Sequence, residues 1–257
     1  MSDIVMVTGS TSGIGKAIAE LLAKNGFRVI VTGRRKERIE ELVDELKLKH
    51  NCSITGLSFD ITNKDEVYDA IDSLPEEWRN IDILINNAGL ASGLDPIYEG
   101  DLNDWEIMID TNIKGLLYIS RKVTKGMIER QKGQIINIGS IAGREVYPSG
   151  NVYNATKHAV DAITKAMRID LLKYKIRVSQ VAPGLVKTEF SEVRFHGDTE
   201  RAEQVYQGYE PLQAIDIAEA VHFVITRPEH VNINDMLIMP TAQANSYNID
   251  KKIEELW

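Results

Sequence analysis

Seven short apolar runs rich in valine and isoleucine recur along the chain: IVMVT (4–8), RVIVT (28–32), SITGLSF (53–59), IDILINN (81–87), GQIINIG (133–139), IRVSQVA (176–182) and MLIMP (236–240). Each reads as a strand. Between them lie segments with apolar residues at helical spacing, Gly15 to Lys24, Lys36 to Lys47, Lys64 to Ser73, Asp104 to Glu129, Val152 to Lys173 and Asp216 to Thr226. These are long enough to serve as crossover helices. The alternation predicts an α/β fold of right-handed βαβ units, a doubly wound parallel seven-stranded sheet with helices on both faces. No internal repeat, low-complexity tract or Pro/Gly/Ser linker divides the chain, so one domain is expected over 1–257. The stretch 189–211 lacks clear strand character and reads as a loop excursion that covers a ligand.

The first break in the pattern is TGSTSGIG (8–15), a glycine-rich turn between a strand and a helix. A phosphate loop needs glycine where Ser10 stands and a hydroxyl residue where Ala17 stands, and the G-x-G-x-x-G fingerprint fails because Gly9, Gly13 and Gly15 follow the spacing G-x-x-x-G-x-G. The turn still aims backbone N–H groups and a helix N-terminus at one point, which suits an anion such as a pyrophosphate. A tight turn with close helix packing explains the same glycines equally well.

Bulk properties narrow the function. With 257 residues and 43% hydrophobic content the chain can bury a full core, and its net charge of −8 argues against a nucleic-acid or anionic-membrane surface. Cys52 is the single cysteine, so no intrachain disulfide is possible. The five histidines show neither the pairing nor the cysteine neighbours of a zinc site, and no metal is expected. The first strand begins too near Met1 for a secretory leader, and no apolar run reaches a membrane span of roughly 18 residues, so a cytoplasmic location is expected.

TGSTSGIG (8–15), NNAG (86–89), Asn112 in DTNIKG, Ser140 followed by Tyr153-x-x-x-Lys157, and PGLVKT (183–188) together resemble the short-chain dehydrogenase/reductase family in order and spacing. The resemblance implies a Rossmann-type sheet, a nicotinamide dinucleotide and hydride transfer between an alcohol and a carbonyl. It assigns the catalytic set to Asn112, Ser140, Tyr153 and Lys157. Cofactor contacts are implied for Gly9, Thr11, Ser12, Gly13, Ile14, Gly15, Asp60, Asn87, Ala88, Gly89, Tyr153, Lys157, Pro183, Gly184, Val186 and Thr188. Within these, NNAG packs beside the adenosine, Asp60 contacts the adenine, Lys157 reaches the ribose hydroxyls, Asn112 holds a relay water and Thr188 holds the nicotinamide carboxamide. A homotetramer follows from family analogy alone.

The residues themselves support parts of this assignment. Tyr153 and Lys157, four apart on a helix, share a face, so the ammonium is expected to lower the phenol's pKa and make Tyr153 a general acid/base. Ser140 follows a strand and stands where its hydroxyl can meet a substrate oxygen; GSIAG is not the hydrolase G-x-S-x-G elbow. Each residue alone has a plainer reading: an amphipathic surface pair for Tyr153 and Lys157, a hydrogen-bonded polar residue for Asn112, a helix cap for Asp60. At the end of the second strand, Gly33, Arg34 and Arg35 occupy the place of the acidic residue that binds an NAD ribose, so NADP(H) is expected, with Arg34 and Arg35 on its 2′-phosphate.

SIAGREVYPSGNVYNATK (140–157), APGLVKTEFSEVRFHGD (182–198) and VNINDMLIMPTAQ (231–243) further resemble NADP-dependent 3-hydroxy acid dehydrogenases acting on serine, allo-threonine and related acids. An anionic substrate needs a cation, and Arg194 is the first choice, Arg144 the second. The competing role for Arg194 is an ion pair with Glu192, Asp198 or Glu203 that orders the covering segment. A reductase of another small anionic aldehyde, semialdehyde or sulfonated, and a non-catalytic dinucleotide sensor stand as alternatives.

Overall fold

A computed structural model describes residues 2–251, so the single-domain expectation over 1–257 extends slightly beyond the described residues at both ends. The predicted strands form one sheet: β1 (Ile4–Val7), β2 (Arg28–Gly33), β3 (Ile54–Ser58), β4 (Ile83–Asn86), β5 (Gly133–Ile138), β6 (Ile176–Pro183) and, last in the chain, β9 (Asp235–Ile238). Their spatial order is β3-β2-β1-β4-β5-β6-β9, with every pairing parallel. The order reverses direction between β1 and β4. At such a switch point the connections leave toward opposite faces and open a crevice at the carboxyl ends of the strands.

The strands are apolar at consecutive positions because both faces are covered. Val5 and Val7 enter one core with Ile83, Ile85 and Ile136, facing α1 (Gly13–Lys24), α2 (Lys36–His50) and α9 (Ala214–Ile225). Ile4 and Met6 enter the other with Leu84 and Ile135, facing α3 (Lys64–Asp72) and α5 (Leu116–Arg130). α6 (Asn151–Asp170) carries Met167 to this second core and brings Tyr153 to a smaller cluster at the site. Side chains two apart thus share a core, as the pleat requires.

Two features depart from the sequence expectations. The helix expected from Asp104 to Glu129 is interrupted: α4 (Leu102–Ile109) passes into a π-helical stretch, Asp110–Gly115, before α5. A π insertion keeps the chain helical, so apolar spacing on either side still reads as one helix. The stretch 189–211 is no plain loop, since it holds α7 (Phe190–Arg194) and α8 (Thr199–Gln204). A small parallel pair, β7 (Val186–Lys187) with β8 (Leu212–Gln213), pins its two ends together.

Leu84 is fully buried in β4 beside the switch point. Leu84→Ala removes methyl groups that the packed layers cannot refill, and urea unfolding should report a loss of about 2–5 kcal/mol. A loss below about 1 kcal/mol would mean that the core collapses onto the vacated volume.

Candidate active site

The glycine turn is held at the switch point by its neighbours. Gly9 and Gly13 adopt φ of +65° and +51°, the left-handed region that glycine enters without penalty. Thr8 at the end of β1 accepts from the N–H groups of Asn87 and Ala88 at 3.0 and 2.9 Å, and the Asn87 amide donates back to the carbonyls of Thr8 and Gly9 at 2.9 and 3.1 Å. A Cβ on Gly15 would lie 2.2 Å from the Gly9 carbonyl oxygen and 2.5 Å from the Asn87 amide, so only glycine allows the helix to start this close. TGSTSGIG and NNAG are therefore one interlocked unit. The buried Ser10 completes it, donating to Val7 O at 2.6 Å and accepting from Thr32 N–H at 3.0 Å.

Thr8 and Ser10 were not among the sequence candidates. Their only signal was a hydroxyl at a strand end and another inside the turn. PGLVKT closes the far side: a Cβ on Gly13 would touch the Thr188 side chain at 3.3 Å. The buried Gln243, also not anticipated, accepts from Leu185 N–H at 2.9 Å and leaves no room for a side chain at Gly184.

Ser140, Tyr153 and Lys157 meet where β5 ends and α6 begins, each only 8% exposed. The Ser140 oxygen accepts from Ala142 N–H at 3.1 Å, which leaves its own proton available for donation. Lys157 donates to the Ile138 carbonyl at 3.0 Å, its nitrogen 5.9 Å from the Tyr153 ring centroid. Asn112 lies in the π stretch, 2% exposed, with both amide N–H groups engaged: it donates to Leu90 O and Thr156 Oγ1 at 2.8 and 3.0 Å and accepts from Leu90 N–H at 2.9 Å. A Cβ on Gly89 would come within 3.1 Å of Asn112 Oδ1 and 3.7 Å of the Lys157 nitrogen, which draws NNAG into the same site.

Electrostatics correct one expectation. The Tyr153 phenol is not lowered by Lys157. Burial pushes it well above the ordinary tyrosine value, Tyr147 adds to the rise, and Ser140 and Arg194 offset only part of it. Desolvation outweighs the neighbouring cations because the ring is enclosed while Lys157 is directed to Ile138 O. Burial acts on Lys157 in the opposite sense, lowering its pKa to about 8. No carboxylate pairs with it among the described residues.

The remaining candidates divide. Arg34 and Arg35 are exposed beyond β2 and enter no ion pair among the described residues, while Lys36 pairs with Glu40 and Arg38 with Glu189, each at 3.8 Å. Asp60 accepts from Thr62 N–H and Oγ1 at 2.9 and 2.8 Å, so one carboxylate oxygen shapes the turn, while the helix cap itself is Asn63. Arg144 is bound to Asp235 in β9 and does not join the catalytic residues. Arg194 does: its guanidinium carbon stands 5.6 Å from the Tyr153 ring centroid, and it makes no ion pair with Glu192, Asp198 or Glu203.

Three observations fit a nicotinamide dinucleotide phosphate at the switch point. Left-handed glycines open a backbone cradle, two guanidiniums without an ion pair among the described residues stand at the end of β2, and a buried ammonium lies without a counter-ion among the described residues. Among the described residues no cluster suits a metal ion, and no helix is long and apolar enough to cross a membrane.

The lowered pKa of Lys157 makes its charge a cost to folding. The unfolded amine keeps its proton up to about 10.5 and the folded one only to about 8, so across that window the unfolded state binds more protons and stability rises with pH. Lys157→Met should therefore stabilise the protein at pH 7 by about 1–3 kcal/mol, after the lost bond to Ile138 is subtracted. Urea unfolding of both proteins from pH 7 to 10.5 checks this. The advantage should shrink across the range; a less stable variant, or a difference that ignores pH, contradicts it.

A family model described as short chain dehydrogenase matches residues 3–198. A protein of Escherichia coli (strain K12) named NADP-dependent 3-hydroxy acid dehydrogenase YdfG is 50% identical over 242 residues, covering 94% of this chain and 96% of the relative. An NADP-dependent 3-hydroxy acid dehydrogenase of Schizosaccharomyces pombe (strain 972 / ATCC 24843) is 42% identical over 249 residues, 96% of either chain. The closed form of a serine dehydrogenase complexed with NADP+ superposes with a TM-score of 0.90 at 48% identity, over 97% of this chain and all of the other. The interlocked glycine turn, the buried Ser140, Tyr153 and Lys157, and these likenesses agree: the chain belongs to the short-chain dehydrogenase family.

Proposed function

We propose that the enzyme transfers a hydride between NADP(H) and the 3-hydroxyl carbon of a small 3-hydroxy acid of the serine, allo-threonine or 3-hydroxypropionate type. The observation that carries the substrate class is Arg194, a cation beside the Tyr153 ring that has no carboxylate partner among the described residues. The names of relatives at 42–50% identity support the same class. An anionic semialdehyde or sulfonated aldehyde would meet the same guanidinium, so negative charge is the primary requirement.

Arg34 and Arg35 would hold the 2′-phosphate, the turn Gly9 to Gly15 the pyrophosphate, and Lys157 the ribose hydroxyls. When bound, the nicotinamide gives or takes the hydride. The protein governs the proton. In the direction of carbonyl reduction, the buried Tyr153 phenol is protonated at neutral pH and donates to the developing alkoxide, while the Ser140 hydroxyl donates to the same oxygen. In the direction of alcohol oxidation the phenol must first lose its proton, and the charge that favours this loss is the Arg194 guanidinium, 5.6 Å from the ring centroid, with the Ser140 hydroxyl beside it. Both N–H donors of the Asn112 amide are engaged, so a relay water at that residue would be held as a donor to its side-chain oxygen or by the backbone of the π-helical stretch.

Arg194→Met, assayed on 3-hydroxypropionate and on an uncharged alcohol of similar size, separates anion binding from loop order. KM for the acid should rise by a factor equivalent to roughly 2 kcal/mol or more, the scale of a lost charge-assisted contact. Equal losses on both substrates would reduce Arg194 to a structural role.

A further inference from the structure

Arg194 reaches Tyr153 from a short helix in the covering segment, and a flexible side chain there has many alternatives. Two groups restrict it. Its Nε donates to Gly93 O at 3.1 Å, and Gly93 N–H donates back to Arg194 O at 2.9 Å, which ties α7 to the segment after β4. Its Nη1 donates to the Tyr147 hydroxyl at 3.0 Å, with the guanidinium carbon 5.5 Å from that ring's centroid. The Tyr147 ring is seated over Gly150, where a Cβ would lie 2.2 Å from the ring. Nη2 has no acceptor among the described residues.

We propose that Tyr147 is a positioning and specificity-determining residue: by accepting one guanidinium N–H and standing with its ring beside the guanidinium, it fixes Arg194 so that the remaining N–H donors of Nη1 and Nη2 meet a substrate anion beside Tyr153. The proposal rests on the anion-binding reading of Arg194 above. A single bond from Nε to Gly93 O leaves the rigid guanidinium plane free to swing about that N–H···O axis; the second bond, from Nη1 to Tyr147, removes that freedom. Fixing a fork in advance matters for a carboxylate, because bidentate geometry is lost when the plane turns. For an uncharged substrate the orientation of Arg194 matters little, so the contribution of Tyr147 is selective for charge.

The experiment compares 3-hydroxypropionate with 3-hydroxypropanamide, which share a skeleton and differ in charge. In Tyr147→Phe, which keeps the ring and removes the acceptor, the acid-to-amide ratio of kcat/KM should fall about five- to tenfold, through KM for the acid. Gly150→Ala is an independent variant that keeps the hydroxyl and displaces the ring, and it should lower the same ratio. An acid preference in the parent enzyme that survives Tyr147→Phe overturns the role of Tyr147 and leaves the reading of Arg194 standing. A parent enzyme indifferent to the charge overturns both, and a variant that loses equally on acid and amide shows Tyr147 to be structural only.

Discussion

Everything at this site depends on desolvation at the carboxyl ends of a parallel sheet. An ammonium and a phenol, one helical turn apart, are enclosed there with no carboxylate paired to the ammonium among the described residues. Burial pushes the two groups in opposite directions, the phenol up and the amine down, and so keeps the phenol protonated while leaving the lysine only weakly committed to its charge. A surface Tyr–Lys pair would show neither effect. The sheet makes the burial possible, because its order reverses between β1 and β4 and packed layers close over both faces while the strand ends stay open to a ligand.

The same geometry explains why the motifs act as one object. Thr8, Asn87 and Gly15 interlock the glycine turn with NNAG; Gly13 receives Thr188; Gly89 faces Asn112 and Lys157. These are close approaches of backbone to side chain, which a larger residue would prop apart. The site has a rigid floor, built from strand ends and the first turn of α6. Its cover is lighter, made of α7 and α8 and held through Gly93, Tyr147 and the 3.1 Å contact between His196 and Asp104.

Much of this was legible in the residues. The consecutive apolar positions of the seven runs required a sheet covered on both faces, and all seven strands lie where those runs stand. The spacing Tyr153 to Lys157 placed both groups on one face, and the basic residues after β2 pointed to a phosphate. The π-helical stretch at Asn112 was invisible because an inserted residue leaves the apolar spacing of both flanking helices intact. The direction of the Tyr153 shift was misjudged for a different reason: spacing reports that a cation is near, and it does not report how much water is excluded. The sequence ranks Arg194 above Arg144 by its place shortly after Thr188, but what each touches is set by the fold, which pairs Arg144 with Asp235 and brings Arg194 to the Tyr153 ring.

The most direct test of the account is Tyr153→Phe, which removes the proton and keeps the buried ring. Turnover with NADPH should fall by at least the roughly 100-fold that general acid–base catalysis contributes, while NADPH affinity measured by fluorescence titration changes less than about twofold. A phenylalanine variant that retains near-normal turnover would contradict the assignment of Tyr153 as the group that moves the proton.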